Sequence, residues 1–122
     1  MLAVPPPNQP GYKRVYKDFA VLDHDPAGEI RGAVYVAYQA PGWGFIKLIW
    51  VKENERRRGL GQKLMKTMEE EAAKRECRSI YLWTYDFEAP EFYEKLGYTR
   101  YAVLEDFIPG HQRLGFMKRI AA

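Results

Sequence analysis

Apolar residues recur along this chain in changing rhythms, and the places where one rhythm gives way to another outline its elements. From Tyr12 to Leu22 the positions Val15, Phe19, Val21 and Leu22 give an imperfect strand pattern, which Asp23-His24-Asp25-Pro26-Ala27-Gly28 interrupts with strong turn chemistry. Ile30 to Gln39 alternates clearly, with Ala33, Tyr35 and Ala37 on one face and Val34, Val36 and Tyr38 on the other. Pro41-Gly42-Trp43-Gly44 then turns the chain into a strand over Phe45–Val51, and the segments so far read as an antiparallel meander. The period changes next: Leu60, Leu64, Met65, Met68, Ala72 and Ala73 fall at helical spacing down to about Glu76, with Glu70–Lys74 and Glu71–Arg75 as i, i+4 pairs on the solvent side.

Ser79–Tyr85 alternates again, Ile80, Leu82 and Thr84 against Tyr81, Trp83 and Tyr85, so one sheet face bears an aromatic stripe. We expect that stripe to pack under a helix rather than to wall an acceptor site. A short helix over Glu88–Leu96 follows, ended by Gly97, then a strand over Tyr98–Asp106, a loop Phe107–His111 and a last strand over Gln112–Ile120. The strand–helix–strand unit from Phe45 to Tyr85 implies a parallel crossover between antiparallel flanks. The expected fold is α/β, a mixed and mainly antiparallel sheet with helices on its faces.

Composition narrows this picture. A chain of 122 residues supports one domain, 12–122, preceded by a proline-rich arm over 1–11 that holds Pro5, Pro6, Pro7 and Pro10. Hydrophobic residues at 47% and charged residues at 29% predict a folded core rather than disorder. The net charge of +3 is compatible with acidic small molecules or nucleic acid and requires neither. Cys77 is the one cysteine, and no Cys or His spacing suggests a metal site. No apolar run reaches the length of a membrane span and the N-terminus lacks a secretory pattern, so the expected location is cytoplasmic.

The charge matters most where it is concentrated. Trp50 to Lys63 leaves an apolar strand, passes Glu53 and Asn54, and enters a helix through Arg56-Arg57-Arg58-Gly59-Leu60-Gly61. A helix N-terminus already carries about half a positive charge and several unpaired amides. Three arginines and Lys63 placed there repel it, whereas a bound phosphate would relieve the repulsion while the glycines let the backbone come close.

Arg56-x-x-Gly59-x-Gly61 at a strand-to-helix turn, followed after the next strand by Ala89-x-x-Phe92-Tyr93-Glu94-Lys95-Leu96-Gly97-Tyr98, resembles the GNAT superfamily of acyl-CoA-dependent N-acetyltransferases, over about Glu29 to Arg119. Tyr85–Pro90 and Leu104–His111 are similar to segments of small bacterial members. The resemblance implies acetyl-CoA as co-substrate, no metal, and a pyrophosphate wrapped by Arg56, Arg57, Arg58, Gly59, Leu60, Gly61 and Gln62. It implies that Ile49, Trp50 and Val51 pair with the pantetheine arm in the manner of an added strand, with Asp86, Phe92 and Lys95 as further cofactor contacts. Tyr93 is the implied general acid at the departing thiolate, and Glu53 the carboxylate nearest the cofactor strand in sequence, with Asp86, Glu88 and Asp106 as other candidate bases. His111 sits in a Pro-Gly loop where an exposed histidine is commonplace.

Two departures from the family pattern affect the expected function. The helices that usually separate the first two strands look shortened or missing here, which leaves sheet surface bare and suggests a homodimer. Asp86 stands where asparagine is frequent, and an ionised carboxylate can accept but not donate. The expected activity is acetyl transfer to a primary amine of a small molecule or peptide. The competing readings are a non-catalytic CoA-binding sensor or scaffold, and a small nucleic-acid binder using Arg56–Arg58 with the aromatic stripe.

Overall fold

The computed structural model describes residues 17–122. The arm over 1–11 and the first part of the strand expected from Tyr12 lie outside the described residues. Six strands form one sheet: β1 Phe19–His24, β2 Ile30–Ala40, β3 Trp43–Val51, β4 Ser79–Tyr85, β5 Thr99–Ile108 and β6 His111–Arg119. Their spatial order is β1-β2-β3-β4-β6-β5, antiparallel throughout except where β3 meets β4. The 3₁₀ turn Glu53–Glu55 and helix α1, Leu60–Lys74, make the crossover between those two strands, and α2, Glu91–Lys95, follows β4. The mixed sheet with a central strand–helix–strand crossover matches the sequence expectation.

Helix α1 crosses β1, β2 and β3 with Leu64, Met65, Met68 and Ala72 turned inward. They meet Val34, Val36, Ile46, Ile80, Leu82, Leu114 and Phe116, which are all nearly inaccessible. This core sits on one face of the sheet only. Leu22, Tyr35, Leu48 and Trp50 are exposed, as are Tyr101, Leu104 and Phe107 near the far edge.

The aromatic stripe of β4 therefore requires a correction. Ile80, Leu82 and Thr84, not the aromatics, lie on the core face and are buried, whereas Tyr81, Trp83 and Tyr85 are half-buried on the opposite face. There the rings cover one another: Tyr81 packs on Trp43 and Phe45, Trp83 on Tyr101, and Tyr85 on Phe87 and Phe107. Both faces of β4 are apolar enough to be buried, so alternation alone cannot tell which of them meets α1.

Three boundaries also differ from the sequence reading, each for a local reason. The first turn shrinks because β1 runs on to His24 and Asp25 Oδ1 gathers the amides of Ala27 and Glu29, each at 2.9 Å. α2 starts only after Pro90, since Ala89 adopts φ 53° and a residue preceding proline is disfavoured in the helical region. β5 and β6 run through the expected loop, leaving a tight turn at Pro109-Gly110, with Asp106 at φ 51° and its carboxylate accepting the Gly110 amide at 3.1 Å.

Candidate active site

The site arises from a failure of two strands to stay together. β3 and β4 pair only through Trp43↔Ser79, Gly44↔Ile80 and Phe45↔Tyr81. Beyond Phe45 they part, and the reason is visible on the other side of β3: Val36 faces Ile46 but Tyr35 faces Leu48, so Lys47 is an extra residue in the ladder. A bulge of this kind bends its strand and sharpens the twist. From Ile46 to Val51 the edge of β3 that faces β4 has no strand partner, which leaves main-chain donors and acceptors along one wall of a cleft.

That cleft has a volume of about 870 Å³. It passes through the sheet. Ile49, Val51, Leu82 and Thr84 line it from the core face, Leu48, Trp50 and Trp83 from the opposite face. At the α1 end it is bounded by Arg56, Arg57, Gly59, Gly61 and Gln62, and beneath these by Phe92 and Tyr93.

The α1 end carries uncompensated positive potential. The helix starts with no side-chain cap and no acidic residue in its first turn, so the amides of Leu60, Gly61 and Gln62 have no intrahelical partner. Gly59 holds φ 81°, a conformation that only glycine adopts without strain. Gly61 is needed for space, because a Cβ there would sit 3.3 Å from the Phe92 ring. Arg56 Nε donates to the Val51 carbonyl at 2.8 Å and so ties the turn to the end of β3. Arg57, at φ 66°, lines the cleft. Arg58 does not; its side chain is exposed and stands 3.7 Å from Glu55.

Tyr93 is 7% exposed, with its ring against Phe92, Tyr98 and Phe116. Among the described residues no group hydrogen-bonds its hydroxyl. Burial, and then the Glu88 carboxylate, push this hydroxyl up to about 12. It therefore keeps its proton throughout the neutral range. Glu88 also lines the cleft, held by the Tyr85 amide at 2.9 Å and the Thr84 hydroxyl at 3.2 Å, both bonding Oε1.

Several expected site residues lie elsewhere. Glu53, expected from its nearness to β3 in sequence, is exposed in the 3₁₀ turn and does not line the cleft, whereas Glu88 does. Asp86 accepts from the Gln112 amide at 2.9 Å and contacts His111 Nδ1 at 3.1 Å; these bonds, the amide first, hold its carboxyl below the usual range and tie β4 to β6. Lys95 is exposed beyond the cleft, and Leu60 turns into the core. In the other direction, Ile46, Lys47, Leu48, Leu82, Trp83, Thr84 and Ala89 line the cleft without having been expected. For Ile46, Lys47 and Leu48 the sequence of β3 offers no signal, since the bulge that opens this edge is a backbone feature.

The sequence that builds this cleft matches a family model described as "Acetyltransferase (GNAT) family" over residues 7–98. The chain belongs to the GNAT acetyltransferase family. Two curated relatives agree: Acetyltransferase Atu2258 of Agrobacterium fabrum, 34% identical over 84 residues (69% of this chain), and Blasticidin-S acetyltransferase of Streptomyces morookaense, 35% identical over 86 residues (68%). The chain spans 61% of the length of each. Among solved structures, an acetyltransferase from Bacillus cereus is 35% identical, superposes with a TM-score of 0.79, and shares 84% of this chain and 73% of its own.

Proposed function

We propose that this GNAT chain transfers the acetyl group of acetyl-CoA to a primary amine of a small molecule or peptide, by direct attack. The observation that carries the reading is the β3–β4 parting, which puts an unpartnered strand edge, an uncapped helix N-terminus and an unbonded tyrosine hydroxyl in one cleft. Phosphates of the co-substrate meet the amides of Leu60, Gly61 and Gln62 and the guanidinium of Arg57. The β3 edge from Ile49 to Val51 gives main-chain bonds to the pantetheine amides, as an added strand would.

Acetyl-CoA supplies an activated thioester. A neutral amine attacks its carbonyl carbon; the C–N bond forms, the C–S bond breaks, and the amine gives up one proton while the sulfur gains one. Glu88 is the carboxylate placed to receive the amine's proton, directly or through water. Tyr93 presents its O–H to the departing sulfur as negative charge develops there. A thiol-release assay with acetyl-CoA and a panel of primary amines tests this reading. Amine-dependent release is expected, and equal consumption of acetyl-CoA with and without every amine would refute it.

A further inference from the structure

On the face of the sheet opposite α1, the cleft opens beside Trp83 onto a second constructed feature. Arg113 of β6 lies directly across the ladder from Tyr85, on the same face. Its guanidinium carbon stands 4.9 Å from the Tyr85 ring centre, 5.2 Å from that of Phe107 and 5.8 Å from that of Trp83. Three aromatic faces thus surround one cation, two of them from β4 and one from β5.

The cradle is itself braced. Tyr101 packs edge-on against Trp83 with centroids 5.6 Å apart, and it can do so because residue 115 is glycine. A Cβ on Gly115 would fall 2.7 Å from the Tyr101 ring. Phe87 stacks on Tyr85 and His111 closes on Phe87, fixing the outer wall.

What Arg113 lacks is an anion. Arg31, Arg58, Arg75 and Arg100 each face a carboxylate, but among the described residues the side chain of Arg113 makes no ion pair and no hydrogen bond. Rings hold the plane of a guanidinium in place without using its five N–H donors, which lie in that plane. The donors are therefore oriented, half-buried and uncommitted, a few ångströms from a residue that lines the cleft. A planar fork of this type matches a carboxylate in two parallel bonds.

We propose that Arg113, with Trp83, Tyr85 and Phe107, recognises the acceptor: an amine whose remote end is a carboxylate carried on a planar ring. The inference rests on the acetyl-transfer reading for its orientation. The amine end of such a molecule points into the cleft, toward Glu88 and Tyr93, while its anionic end is held on the open face of the sheet. A ring between the two ends lies against Trp83. Acetylation at the amine leaves the carboxylate untouched, so the product keeps its contact with Arg113 and loses only its basic group.

The test compares two probes that differ in charge alone, 4-(aminomethyl)benzoate and 4-(aminomethyl)benzamide, titrated into the full chain while tryptophan fluorescence is followed. The acid should bind roughly tenfold or more tightly than the amide, the range expected for hydrogen bonds to a charged group. Arg113→Gln should erase that difference, and Arg113→Lys, which keeps the charge but not the fork, should restore part of it. Acetyl-CoA affinity, measured separately, should be the same in all three proteins. Equal affinity for the two probes in the unaltered chain, or no binding of the acid, overturns the proposal whatever acetyl-CoA does. Loss of acetyl-CoA binding together with retained discrimination by Arg113 would instead overturn the acetyl-transfer reading and leave the anion site standing.

Discussion

Replacing Tyr93 with phenylalanine removes one oxygen and keeps the ring that packs at 5.1, 6.2 and 5.8 Å from Phe92, Tyr98 and Phe116. No described partner is orphaned by the loss, so stability should change by no more than about 1 kcal/mol. Turnover should respond more strongly. A hydroxyl that holds its proton up to about 12 is a weaker acid than an ordinary thiol, whose value is about 8.5. Complete proton transfer from Tyr93 to sulfur in the rate-limiting step is thus uphill, and its main contribution is a hydrogen bond to developing charge. That places the effect at the lower end of what a positioned acid supplies, about 100-fold in kcat, or about 2.7 kcal/mol. The assay is thiol release at saturating acetyl-CoA, with thermal denaturation alongside. The ratio of the two proteins should stay flat from about pH 6 to 9, because Tyr93 does not titrate there. A Tyr93→Phe protein that turns over within about twofold of the parent would refute the assigned role and favour a non-catalytic CoA-binding module.

Other perturbations probe other parts of the site. Gly59→Val and Gly61→Val should each abolish measurable acetyl-CoA binding, the first through strain at φ 81° and the second through collision with Phe92, while circular dichroism still reports a folded protein; unchanged binding would reject the assigned turn. Glu88→Gln keeps an oxygen for the Tyr85 amide and the Thr84 hydroxyl but removes the base, so kcat should fall by roughly tenfold or more with little change in melting temperature. Burial raises the hydroxyl of Tyr93 from about 10 to about 12, and burial with the neighbouring Glu69 carboxylate raises that of Tyr98 as well. Both groups favour the folded state while protonated. The Tyr93 share is complete below about pH 10, where the unfolded chain titrates, and is lost as the pH rises toward 12, a fall of about 3 kcal/mol relative to that high-pH limit, while the Tyr98 share goes on falling at higher pH. Denaturant unfolding at about pH 9 and pH 11 should therefore show a loss at the higher pH that shrinks in Tyr93→Phe.

The order of elements and the basic glycine turn are readable in the sequence because each depends on local chemistry. Arg56-x-x-Gly59-x-Gly61 declares a helix start without acidic compensation, and the change from alternating to helical period after Val51 marks the crossover. What could not be read was the opening itself. Phe45 to Val51 is apolar at every position but Lys47, so neither the bulge at Lys47 nor the face each residue takes is encoded in its pattern. The same limit hid the side taken by Tyr81, Trp83 and Tyr85. Distance along the chain points to Glu53, and only the turn after β4, with Glu88 bonded back to Tyr85, brings a carboxylate to the cleft.

Isothermal titration of acetyl-CoA into the full chain asks whether the β3–β4 opening receives the co-substrate. Saturable binding of one molecule per chain is expected, weakened as salt screens Arg56 and Arg57, and absent from Gly59→Val. A folded protein that releases no heat and binds no acetyl-CoA at low ionic strength would contradict it.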